Sequence, residues 1–189
     1  MAKEKLVIQK LFSDWSKFYS KHFNIKVDFS EIKISEVPKE GKWRLLLIEK
    51  GLTNNKVYDA CKRKFSCFKY AEDLNKSVTK NDRDPKNGTY AIWVRDVVGA
   101  DGVHKNKSAK MLQEEKISGI TLLERMILEL KYFTETGKHL DISNWTLCSG
   151  SRYSDGHVPI VFCGFSQFMV GWCSAEFSGE SLRSREVVS

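Results

Sequence analysis

The stretch GITLLERMILELKYFTETG, residues 119–137, constrains the fold more than any other. Thr121 followed three residues later by Glu124 fits a capping box, in which hydroxyl and carboxylate satisfy two of the N–H groups that a helix start leaves open. Leu122, Leu123, Met126, Ile127, Leu130 and Phe133 recur at three- and four-residue spacing, and Gly137 supplies the left-handed stop. The spacing predicts an amphipathic helix whose apolar stripe packs on other elements. Arg125 with Glu129, and Lys131 with Glu135, are i,i+4 pairs in the weaker orientation, worth at most a few tenths of a kcal/mol each.

A second helix is predicted over 6–23, where Val7, Ile8, Leu11, Phe12, Trp15, Phe18, Tyr19 and Phe23 form an aromatic-rich stripe suited to docking on a sheet. Alternation at Val27, Phe29, Ile32 and Ile34 predicts a half-buried strand over 27–35. WRLLLIEK from Trp43 reads as a strand buried on both faces, and Thr53 caps a helix running to about Phe65. Residues 71–89 read as a long polar loop, with Asp84-Pro85 and Asn87-Gly88 as turn signals. TYAIWVRDVV is a strand, Ser108 to Lys116 a short helix, and WTLCSGSRY, VPIVFCGF and FMVGWCSAE three further strands, the last two forming a hairpin. The tail from Gly179 to Ser189 reads as polar and charged. This order, without regular β-α alternation, predicts an α+β fold over 1–189: one domain with a mixed, mostly antiparallel sheet and helices packed on one face.

Composition enters through what it excludes. The chain has 189 residues, 41% of them hydrophobic, enough for one sizeable core, and only three prolines with no linker-like tract. Five cysteines, odd in number and without a CxxC pair, argue against a disulfide framework or a zinc ribbon. The N-terminus lacks the apolar core of a signal peptide, and no apolar run is long enough to cross a bilayer. A protein of a reducing cytoplasm, with no membrane partner and no cofactor, is expected. A formal charge of +7 points toward anionic partners, although acidic residues are interleaved throughout.

Several stretches form a familiar set: Asn81 to Asp84 before Tyr90 to Asp96, Gly119 to Arg125, Glu135 to Asp141, Ser151 to Gly156 and Leu182 to Arg185. Together they resemble a family of uncharacterised bacterial proteins over roughly residues 42–189. The resemblance implies a bacterial, soluble origin and a single folded unit, and it carries over no catalytic residue.

Two regions hold candidate chemistry. The segment CSGSRYSDGHVP, 148–159, contains Ser151, Asp155 and His157, the residue types of a nucleophile, an orienter and a base, but it lacks the strained GxSxG elbow, and a short turn rarely holds a serine against a histidine. The preferred reading is an anion-binding cluster in which Arg152, helped by Ser151 and the amides around Gly150, combines with Lys138, His139, Asp155 and His157. The second region is basic and aromatic: Lys62, Arg63, Lys64, Lys69 and Arg83, interleaved with Phe65, Phe68 and Tyr70, suit single-stranded nucleic acid. The scattered histidines and carboxylates match no metal-ligand spacing, so no metal is expected.

A non-enzymatic binding module for an anionic partner, nucleic acid or an acidic protein surface, is therefore the leading expectation. The alternatives are a small enzyme or anionic-ligand-binding protein using Lys138, His139, Arg152, Asp155 and His157, and a structural or assembly protein using the aromatic N-terminal helix.

Overall fold

The computed structural model describes residues 2–189, with side chains from Ile8 onward. The fold is α+β, and it is organised around the helix predicted from the capping box. That helix spans Leu122–Thr136, Thr121 and Glu124 satisfy each other's backbone N–H groups, and Gly137 ends it at φ 69°. In chain order it is α5, preceded by α1 (Ala2–Phe23), α2 (Asn54–Lys62), α3 (Leu74–Ser77) and α4 (Ala109–Glu114).

Three sheets surround these helices. In the first, β1 (Trp43–Ile48), β4 (Tyr90–Arg95) and β10 (Val187–Val188) pair antiparallel in the order β1-β4-β10. The second is mixed, in the order β2-β8-β7-β5-β9, from β2 (Cys67–Lys69), β8 (Gln167–Cys173), β7 (Val158–Gly164), β5 (Trp145–Leu147) and β9 (Leu182–Ser184). Its central pairs are antiparallel, while β2 and β9 join the edges parallel to β8 and β5. A ribbon of β3 (Val78–Asn81) and β6 (Ser151–Tyr153) completes the set.

α5 packs against α2, β1 and β7, and every residue from Leu122 to Leu130 is buried. That burial changes the meaning of its charged residues. Arg125 and Glu129, expected as a weak helix-surface pair, are both fully buried. Arg125 donates from Nε (3.0 Å) and Nη2 (2.8 Å) to one oxygen of Asp141, while its Nη1 lies 2.8 Å from Glu129 as a close ion contact rather than an aligned hydrogen bond. Arg185 donates to the other Asp141 oxygen at 2.7 Å and to the carbonyls of Val97 and Val98. Burial pushes the Asp141 carboxyl up, but Arg185, Arg125 and a hydrogen bond from Thr146 outweigh it and hold the group below the usual carboxylate range.

The aromatic stripe of α1 packs inward. Trp15, Phe18 and Tyr19 lie in the main core with Phe29, and the Tyr19 hydroxyl donates to Leu47 O at 2.6 Å. Of the predicted stripe, Val7 lies outside the residues whose side chains are described, and Ile8 is exposed rather than packed inward. Among the described residues no helix is long and apolar enough to cross a membrane.

Four expectations are corrected. Residues 27–35 form no strand; Phe29 is buried and Val27, Ile32 and Ile34 pack on the core, so the alternation reflects contact with α1 and β4 without a ladder partner. The long polar loop 71–89 contains α3 and β3, whose starts are set by Asp73 capping Asn75 and Lys76 and by pairing with β6. WTLCSGSRY is two strands separated by a crossing at 148–150. The polar tail is woven into the interior: β9 joins the five-stranded sheet, β10 the three-stranded one, and Leu182, Arg185 and Val187 are buried.

Arg125→Ala leaves buried Asp141 with one guanidinium instead of two and buried Glu129 with none, and is expected to cost about 3–5 kcal/mol of unfolding free energy in denaturant titrations. Asp141 titrates below its usual 3.8 in the folded chain. Its stabilising contribution is therefore complete above that value and lost as pH falls through the lowered one; Asp141→Asn should flatten this part of the acid-unfolding curve.

Candidate functional site

The segment 148–159 is first a crossing point of backbones. Gly150 N donates to Ile120 O at 3.1 Å, and Asp82 N donates to Gly150 O at 2.9 Å. A Cβ on Gly150 would stand 2.5 Å from Gly119 O, and one on Gly119 would stand 1.7 Å from Ser149 Oγ, so both glycines are required by close approach rather than by a turn. Ser151 is buried. Its hydroxyl donates to Asn81 Oδ1 at 2.6 Å and accepts from Leu122 N at 3.0 Å, satisfying an open donor in the first turn of α5. Neither Ser149, bonded to Ser184 Oγ at 2.8 Å, nor Ser151 meets a histidine, so the segment holds no catalytic triad.

Arg152 differs from its neighbours. Its Nη1 donates to Ser149 O (2.7 Å) and Ser151 O (2.8 Å), which fixes the guanidinium plane. Nε and Nη2 have no partner among the described residues and remain open to solvent. Burial lowers the pKa of Arg152, and Asp82 and Cys173 offset only part of that effect. No carboxylate among the described residues forms an ion pair with it, whereas Arg44, Arg83, Arg125 and Arg185 all have such partners. The open edge of the guanidinium, Nε with Nη2, is the one that grips a carboxylate or phosphate with two parallel hydrogen bonds.

This side chain lines a groove of about 860 Å³, within the range of ligand sites. Lys80 and Asp82, Gln113 of α4 with Lys116 just beyond its end, and Ser149, Gly150 and the residues from Tyr153 to Gly156 line it as well. A smaller cavity of about 200 Å³ adjoins it through the shared Tyr153, Ser154 and Asp155, and is lined also by Tyr70, His157 and Trp172. His157 lies 3.0 Å from Asp155 and edge-on to Trp172, with ring centroids 4.5 Å apart.

Lys138 and His139 do not join this groove. Ser151 sits at the start of α5, and these two follow its C-terminal end, roughly 22 Å along the helix axis. His139 Nδ1 bonds Glu129 at 2.8 Å and its ring packs on Phe65 and Phe133, while Lys138 is exposed. Glu129, His139 and Cys163 group three metal-ligating side chains within 4.8 Å, but the Glu129 carboxylate is already shared between Arg125 and His139, and burial pushes the Cys163 thiol up. The group is the outer end of the buried charge network.

The predicted basic residues also separate. Arg83 is structural: Nε and Nη2 grip Glu124 at 2.7 and 2.9 Å, and Nη2 also reaches Gly119 O. Lys69 turns back to Glu72 O and lies over the Tyr58 ring. Lys62, Arg63 and Lys64 are exposed at the end of α2, where Arg63 donates to His22 O at 2.8 Å. Burial, followed by Lys21, Lys64, Arg63 and Lys131, lowers the pKa of His22 to about 4. The predicted cations thus occupy opposite ends of α5. No family model, curated protein or solved structure matches the chain, so the chemistry of the groove rests on its own geometry.

Two measurements check these assignments. Ser151→Ala removes a cap and is expected to cost ~1 kcal/mol in denaturant unfolding. His22 should titrate near 4 by NMR rather than at 6.5. Because its folded value is the lower one, the stability linked to His22 is complete above 6.5 and lost as pH falls from there toward 4; His22→Asn should remove that component.

Proposed function

We propose that this protein is a binding module of a bacterial cytoplasm that recognises an anionic partner, nucleic acid or an acidic protein surface, at the Arg152 groove. One observation carries the reading: a half-buried guanidinium, anchored through Nη1 by two carbonyls, presents its Nε–Nη2 edge without a protein partner to the groove it lines. An arginine this confined has little rotamer freedom left to lose on binding, so less of its interaction energy is spent on ordering it. Lys80 and Lys116 on the walls add positive charge, while Asp82 and Asp155 moderate it and disfavour indiscriminate binding. The exposed cluster of Lys62, Arg63 and Lys64 is a second, separate basic surface that adds long-range attraction for the same class of partner.

Of the residues that the enzymatic alternative invokes, Lys138 and His139 lie away from Arg152, while Asp155 and His157 line the groove and the cavity that adjoins it. The assembly alternative depended on Trp15 and Phe18, which are buried within the chain itself.

Salt-dependent retention on immobilised heparin tests the proposal. Arg152→Ala should weaken binding roughly tenfold, the scale of one charged hydrogen-bonding group, and lower the slope of log K against log salt by about one. Charge reversal at Lys62, Arg63 and Lys64 should weaken it further. Retention insensitive to salt and to all these substitutions would refute the reading.

A further inference from the structure

The five-stranded sheet has two faces with different fates. On one, Phe168, Val170 and Val161 join the main core beneath α5. On the other, α4 covers only one part, where Ala109 and Leu112 pack on Leu147, Val158, Ile160, Cys173 and Leu182. Over the remaining part the sheet is lined by its own rings, which bury Met169. Register places Phe68 and Phe162 beside Met169 on this face, and Trp145 stacks on Phe162 with ring centroids 4.8 Å apart and planes 23° from parallel. Tyr70 continues the row: its ring edge lies 3.6 Å from where a Cβ on Gly171 would stand, so the missing side chain gives the ring room over the sheet. Phe68 and Tyr70 meet edge to face at 5.0 Å. Tyr70 is 65% exposed, Phe68 42% and Trp145 36%.

We propose that this open sheet face is a stacking platform for single-stranded nucleic acid, with the bases on Phe68, Tyr70 and the Trp145–Phe162 pair and a backbone phosphate on Arg152. The inference rests on the reading of Arg152 as the anion anchor and specifies its ligand. Continuity supports it: Tyr70 lines the small cavity that shares Tyr153, Ser154 and Asp155 with the Arg152 groove, so rings and guanidinium belong to one connected surface. Chemistry supports it as well. The platform crosses four strands, roughly 14 Å at sheet spacing, and its exposed apolar residues are rings rather than aliphatic side chains. A planar ring beside a cation matches an unpaired base with its phosphate, and stacking accepts any base. An acidic protein surface would satisfy Arg152 but leave the rings without a partner. A duplex keeps its base faces inside its own stack, so the platform distinguishes it from a single strand.

The test is fluorescence anisotropy of the full chain with a labelled 20-nucleotide oligo-dT, with the same length of duplex and poly-glutamate as competitors. The double variant Phe68→Ala/Tyr70→Ala, exposed on the sheet, should lose about tenfold or more in affinity while its salt slope stays unchanged; Phe68→Tyr/Tyr70→Phe should retain binding. Arg152→Ala should lower the slope by about one. Unfolding curves of each variant matching the parent establish that loss of binding is not loss of fold. Binding of the oligonucleotide unaffected by the ring variants, or competition by duplex or poly-glutamate as effective as that by unlabelled oligo-dT, overturns the platform. Should heparin retention still depend on Arg152 in that event, the anion anchor stands and only the platform falls; should neither probe respond to Arg152, both fall.

Discussion

Asp141, held between Arg125 and Arg185, is the interaction on which the remaining architecture depends. Three charged side chains without solvent contact are costly to bury, and the cost is met only when every partner is in place. Arg125 comes from the first turn of α5, Asp141 from the loop beyond the helix, and Arg185 from the last residues of the sequence. The pairing therefore draws the C-terminal segment across the molecule, where β9 extends one sheet and β10 another. Asp141 itself has φ 52°, a left-handed backbone that aspartate tolerates better than most residues, and its N–H meets Val98 O at 3.0 Å. Backbone and carboxylate are fixed together, leaving little tolerance for a shift of register in the tail.

The candidate site is a consequence of that closure. With Arg185 drawn inward, Ile120 N bonds Arg185 O and Val187 N bonds Ser118 O, so residues 118–120 are threaded between the tail and the 149–151 crossing. Two glycines allow the backbones to touch, and Ser151 links the crossing to the start of α5. Arg152 is the next residue along and emerges where the packed interior ends. Its chemistry is set by contrast: the buried arginines consume their donors on carboxylates and carbonyls, while this one spends a single nitrogen on backbone and keeps the other edge for solvent or ligand.

How much of this was legible in the sequence follows from the range of each signal. The capping box, the stripe of α5, Thr53 as a cap and the β7–β8 hairpin are local, with cause and effect within a few residues, and they appear where the spacing places them. The burial of Arg125 and Glu129 was not legible, because i,i+4 spacing is identical on a surface helix and on one enclosed by sheets. The tail misled for the same reason: LRSREVV is polar in composition, yet its arginine has a carboxylate waiting some forty residues upstream. Arg83 and Arg152 show the limit most clearly. Both are arginines in polar stretches rich in turn residues, and only the position of Glu124 makes one of them structural and leaves the other available. Lys138 and His139 were grouped with Arg152 by nearness in sequence, which the length of α5 does not respect.

The uncovered part of the five-stranded sheet bears on function from a separate direction. Exposing large rings forgoes the hydrophobic stabilisation that burying them would supply. The helix stops at Glu114, and the chain leaves through Lys116 in a left-handed conformation toward Ser118, which returns it to the crossing beside Arg152. That departure supplies part of the lining of the anion groove. Rings and groove meet through Tyr70, whose cavity shares Tyr153, Ser154 and Asp155 with the groove, so stability is given up where one accessible surface joins the two.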